Sequence, residues 1–282
     1  MLTDAISSET YKLLQNRWTA FWSFGFAPFI TAVVSLGILA FVVMQVPAEI
    51  RAQPQDVSTQ LVLSAYGTRS PSYYVAMLFC LLGAAVIFAG DYRWETWRLI
   101  APRNSRTNHM LAKIVLFCVA IFAVMLMLVA VTLLTTVIGA LINGAPMQWT
   151  LGQESNFWLV TLGLFGISCL QLIQAGAVVA LASVLTRSLI GALLGTVFLS
   201  IVQLAIQGVV QQQPEIPLYQ ILMLPGLSAD MLRLHVSGPM AFGQEIVTPA
   251  KALEALASLL LWIVVGYGAA LALFQRQDLS KE

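Results

Sequence analysis

The chain has 282 residues, 59% hydrophobic and only 10% charged, with a formal net charge of +1. Soluble domains carry about 25% charged residues, so an ordinary soluble enzyme is excluded and a polytopic, all-α membrane protein is expected, a class to which the mean hydropathy of +0.84 also points. Nucleic acid is not an expected partner; how the charge is distributed matters more than its sum.

Residues 1–17 are polar and carry Asp4 and Glu9, not a basic start leading into a short apolar core, so no cleaved secretory signal is expected. Within 1–20, Leu14, Trp18 and Phe21 recur at helical spacing, with Lys12, Gln15 and Thr19 off that face. That pattern predicts an amphipathic helix lying at the membrane interface, with tryptophan at headgroup depth.

A bilayer core is crossed by about 20 mostly apolar residues in a helix. Six stretches qualify, near 21–46, 73–90, 114–142, 157–185, 189–210 and 253–274. Gly25 and Pro28 are expected to bend the first near its cytosolic end. The segment 47–72 reads as a polar loop. The segment 211–250 is apolar in part but broken by Pro214, Pro217, Pro225, Pro239 and Pro249, so it reads as short elements dipping into the outer leaflet, one of them capped by Ser228. Thr248 and Pro249 predict the start of the last helix. Gly191 with Gly195, and Gly266 with Ala270, are small-residue pairs that permit close helix approach.

Lysine and arginine set the orientation. With the N-terminus in the cytosol, ten (Lys12, Arg17, Arg93, Arg98, Arg103, Arg106, Lys113, Arg187, Arg276, Lys281) fall inside and four (Arg51, Arg69, Arg233, Lys251) outside. The positive-inside rule then places both termini in the cytosol.

Several chemistries lack their residues. No Gly-x-x-x-x-Gly-Lys-Ser/Thr loop is present to cradle phosphates. Cys80, Cys118 and Cys169 have no metal-ligand spacing and read as packing residues. His109 and His235 stand alone, each expected in a loop, so no base is in reach of a nucleophile. No catalytic or metal site is expected. The predicted spans hold no midplane charge of the kind ion-coupled carriers use. They hold amides instead: Gln171 and Gln174 share a face of the fourth span with Ser168, and Ser200, Gln203 and Gln207 share one of the fifth. These either bond between helices, at about 0.6 kcal/mol each, or line a path for a substrate.

The segment 91–113 is the most specific signal. It carries Asp91, Arg93, Trp94, Glu95, Thr96, Trp97, Arg98, Pro102, Arg103, Arg106 and Lys113, five of the chain's 14 basic residues, between two spans. A solvated positive-inside loop accounts for the arginines but not for two tryptophans and a proline set among them. The order acidic–aromatic–Arg, Thr-x-Arg-Leu, Pro, Arg and then Lys resembles the cytosolic loop of ABC-2-type transporter permeases. Asp91, Thr96, Arg98, Pro102, Arg106 and Lys113 fall into that family's positions. Two positions depart: Asp91 stands where Glu is usual, and Glu95 where Gly is usual.

The resemblance implies a six-span permease subunit in the bacterial plasma membrane, paired with a second copy or paralogue. It implies no cofactor on this chain; ATP and Mg belong to a separate cytosolic ATPase subunit. Residues 91–106 would form the coupling helix that docks on that ATPase, and the cargo would be a hydrophobic or amphipathic compound moving outward. The residues alone leave two other readings open, a membrane scaffold or immunity protein recruiting a cytosolic partner and a self-contained secondary carrier.

Overall fold

The computed structural model describes residues 2–67, 71–93, 105–213, 216–238 and 247–277. In chain order the helices of six residues or more are α1 (Leu2–Gln15), α2 (Arg17–Gln45), α3 (Val57–Tyr66), α4 (Pro71–Arg93), α5 (Arg106–Asn143), α6 (Phe157–Thr186), α7 (Leu189–Val210), α8 (Leu218–Met223), α9 (Pro225–Ser237) and α10 (Pro249–Arg276). Among the described residues six of them, α2, α4, α5, α6, α7 and α10, are long and apolar enough to cross a membrane. The chain is an all-α, multi-pass membrane protein.

α6 is the hub, in contact with α3, α4, α5, α7, α9 and α10. Its run Ala175-Gly176-Ala177 is buried and small, which lets neighbours approach closely. A Cβ on Gly176 would lie 2.0 Å from a ring carbon of Phe117 on α5, and one on Gly266 of α10 would lie 2.9 Å from the Ala177 Cβ. The small pair on α10 is thus spent within the chain. On α7, by contrast, Gly195 faces open space, and Ile190, Leu194, Phe198 and Ile201 are exposed, an apolar face suited to lipid.

α2 contains a π turn at Phe21–Gly25, in which the Phe26 N–H reaches back to Phe21 O. It lies just before Pro28, which has no N–H to donate, so the irregularity expected near Gly25 and Pro28 takes the form of a widened turn. α1 packs against α5, burying Ala5 and Glu9 while Leu14 and the following Trp18 stay exposed.

Four expectations are corrected. The segment read as a polar loop contains α3, whose Val62, Ala65 and Tyr66 pack with Phe157, Val160 and Leu164 of α6. Asp56 caps α3, accepting bonds from the Ser58 N–H, the Ser58 and Thr59 hydroxyls and the Thr150 N–H. Partial burial opposes its ionisation, but these bonds outweigh it and draw the carboxyl down from 3.8 to about 2. The cap therefore stabilises the fold above pH 3.8, and that contribution is lost as pH falls through about 2. A parallel pair, β1 (Gln55–Asp56) with β2 (Met147–Gln148), ties this corner to the loop after α5.

The third span begins earlier than expected, at Arg106, because Ser105 caps it by accepting from the Asn108 N–H. His109 and Lys113 are consequently helical and buried. His235 is also helical, in α9, with Nδ1 2.9 Å from Val247 O. Ser228 does not cap a helix start; it is wholly buried inside α9 and donates to Ile221 O at 2.8 Å. α10 starts at Pro249 as expected, although the Thr248 side chain makes no capping bond.

Gly176→Val should force Phe117 off its rotamer and destabilise the protein by about 1–3 kcal/mol. Thermal unfolding in one detergent would register this as a lowered Tm. Part of the loss should return in a Phe117→Leu background, where the obstructing ring is gone.

Candidate functional site

Two polar constellations interrupt the apolar bundle. The first joins α1, α4 and α5. Asp91, near the end of α4, pairs with Lys113 of α5 at 2.6 Å and stands 3.5 Å from Lys12 of α1. Lys12 in turn pairs with Glu9 at 2.6 Å. Lys113 is 1% exposed and also donates to Ile87 O at 2.7 Å. Buried charge is costly, and pairing with a second, hydrogen-bonded charge offsets that cost. His109, one turn before Lys113, is 5% exposed, and its ring nitrogens have no hydrogen-bond partner among the described residues.

Further bonds gather the helix ends at the same face. Arg106 donates to Gln277 O at 2.7 Å and Gln275 O at 3.2 Å, satisfying carbonyls at the end of α10 that the helix itself leaves open. Tyr92 donates to Gln277 Oε1, and Gln277 Nε2 to Val184 O. The ends of α4, α6 and α10, the start of α5, and α1 therefore share one face of the bundle.

Of the residues expected to dock an ATPase, Asp91 and Arg106 are thus engaged inside the chain, as the frame from which the intervening segment departs. The Arg93 side chain and Trp94, Glu95, Thr96, Trp97, Arg98, Pro102 and Arg103 lie outside the described residues.

The second constellation surrounds a cavity of about 320 Å³ between α4, α6, α7 and the start of α9. Gln171, Gln174, Ser200, Gln203 and Gln207 all line it, with Thr196 and Asp230 completing the polar wall and Met77, Leu81 and Val178 in the apolar part. Ser168, expected with them, turns away. It donates to Ala65 O at 2.9 Å and accepts from Arg233 at 3.4 Å.

Arg233 is the residue that sequence reasoning missed. Assigned to an outer loop, it is instead 0% exposed and penetrates the bundle. Its Nη1 meets Asp230 at 3.1 Å, its Nη2 meets Gln171 Oε1 at 2.6 Å, and its guanidinium lies 6.0 Å from the centroid of the Tyr66 ring. Gln171 is the fifteenth residue of a 30-residue helix, so at about 1.5 Å per residue Arg233 reaches half-way along α6. The expectation of a bundle without internal charge is corrected: the spans supply none there, but the α8–α9 hairpin inserts an ion pair. The signal was an arginine with an aspartate three residues earlier, inside the apolar part of a Pro-broken loop.

The hairpin's broken backbone is satisfied from all sides, as a buried irregular segment requires. Ile221 O accepts from Ser228 and Ser258, each at 2.8 Å. Leu222 O accepts from the Trp262 indole at 2.8 Å, and Met223 O from Gln203 at 3.4 Å. Gln207 Nε2 reaches Asp230 at 2.8 Å. Gln171, Gln203 and Gln207 therefore bond between elements while facing the cavity, and Gln174 faces it without such a bond among the described residues.

No family model, curated protein or solved structure matches the chain.

Removing one partner of the Asp91–Lys113 pair, by Asp91→Asn or Lys113→Met, should cost about 3–5 kcal/mol, because the other charge is left buried. The double variant should cost less than the sum. A double-mutant cycle on unfolding free energies would reveal the coupling, and additive losses would show that the pair does not interact.

Proposed function

We propose that the chain is the membrane subunit of an ATP-driven transporter of the ABC-2 type, energised by a separate cytosolic ATPase docking on the segment 91–106. Both termini lie in the cytosol, ATP and Mg bind the partner, and two permease copies or paralogues form the path. The membrane is the bacterial plasma membrane, and the cargo is a hydrophobic or amphipathic compound moved outward.

The observation that carries this reading is the ion-paired frame around the basic segment. Asp91 and Arg106 bracket residues 94–104, and each is bonded to a second element of the bundle. A push delivered between them therefore reaches α1, α4, α5 and α10 together, as a lever moved by an ATPase requires. The ten-to-four distribution of lysine and arginine supports a cytosolic position for that segment. The amide-lined cavity supplies a polar surface on which a path could be built.

A second reading has an observation in its favour. The Asp230–Arg233 pair puts charge inside the bundle, as self-contained ion-coupled carriers do. The energy source separates the two: transport in liposomes that needs ATP and the ATPase supports the permease, whereas transport that a protonophore abolishes without ATP supports the carrier.

Arg98→Glu and Arg103→Glu should each reduce ATPase co-purification or ATP-dependent transport several-fold. Wild-type association and transport in both would defeat the docking role. Asn104→Cys should resist an impermeant thiol reagent applied outside intact cells and react once they are permeabilised; labelling from outside would reverse the topology.

A further inference from the structure

The polar wall of the cavity is rich in hydrogen-bonding capacity and poor in free charge. Asp230 is the one ionisable residue lining it among the described residues, and its carboxylate is met by Arg233 at 3.1 Å and by the Gln207 amide at 2.8 Å. Arg233 does not line the cavity and is wholly buried behind it. The lining therefore presents an ion pair already closed, not a fixed charge awaiting its opposite. An ion of either sign entering would shed its hydration without gaining a counter-charge, which is unfavourable. A neutral group entering would exchange water for amide and hydroxyl partners at little net cost.

Those partners are present. Gln174 is 94% buried and has no hydrogen-bond partner among the described residues, yet it lines the cavity, where its amide offers donors and an acceptor together. Ser200 adds a hydroxyl, and Gln203 holds only a long 3.4 Å bond to Met223 O. The apolar walls at Met77, Leu81 and Val178 can take a hydrocarbon or ring system. At about 320 Å³ the cavity falls at the small end of ligand sites, about 300–1,000 Å³.

We infer that this cavity binds an uncharged amphiphile, an apolar body carrying a hydroxyl- or amide-rich head, with the head on Gln174, Gln203 and Ser200 and the body on Met77, Leu81 and Val178. Ammonium and sulfate heads on the same body are excluded by the closed Asp230–Arg233 pair. The inference rests on the permease reading only in naming the ligand as cargo.

The test uses three photoactivatable alkyl probes with one diazirine-bearing tail and a glucoside, trimethylammonium or sulfate head. Each is crosslinked to the full chain in lipid nanodiscs, with sites located by mass spectrometry and normalised to labelling of Ile190, Leu194 and Phe198, which are exposed on α7 and do not line the cavity. The glucoside should label the cavity walls at least fivefold more than either ion. Leu81→Trp, which fills the cavity, should remove that labelling, and Gln174→Leu should reduce it about tenfold. Equal or stronger labelling by an ionic probe overturns the inference, as does glucoside labelling that survives Leu81→Trp.

If Gln174→Leu fails to fold, the head-group comparison on the unaltered chain decides alone. No ATPase is present, so the two readings fail separately: lost ATPase association leaves this result standing, and absent glucoside labelling with intact association sinks only the cavity assignment.

Discussion

The fold depends on one constraint, that a peptide group inside an apolar bundle has no water to bond with. Six long helices meet it by bonding internally. The hairpin of α8 and α9 cannot, because its backbone breaks at Leu224 and Pro225 within the bundle. Ser228, Ser258, Trp262 and Gln203 supply the missing donors, each to a carbonyl between Ile221 and Met223. The hairpin is therefore part of the core, and its polar debts determine where α7, α9 and α10 can sit.

Placing the hairpin there brings a charge with it. The Arg233 guanidinium is tolerated because Asp230, Gln171, Ser168 and the Tyr66 ring surround it. Those contacts join α9 to α6 and α3, so the corner capped by Asp56 and the cavity wall share one support. Charge neutralised in this way leaves the cavity polar but without a free ion, which is what gives its ligand chemistry a definite sign: none.

At the opposite face the same economy operates on lysine. Lys113 is buried because Asp91 is buried beside it, with Lys12 and Glu9 extending the network to α1. The N-terminal helix is thereby tied to the base of the basic segment. Small residues complete the framework: Gly176 and Gly266 bring α5 and α10 onto α6, and an ordinary side chain at either would separate them.

The six crossing helices were legible because hydrophobic length is a local property, readable without knowing any neighbour. The start of α10 at Pro249 and the shared face of Gln171 and Gln174 were legible for the same reason, through Pro geometry and helical period. α3 was not: its ten residues are less apolar than a span, and its burial comes from Phe157, Val160 and Leu164, about a hundred residues on. Arg233 was not either, because its partners Ser168 and Gln171 lie 65 and 62 residues away. By itself, then, the sequence determined which segments are apolar enough to leave water and where charge concentrates. Only tertiary structure decided which polar groups follow them inside, because a buried charge is tolerated or not according to the groups that folding brings to it.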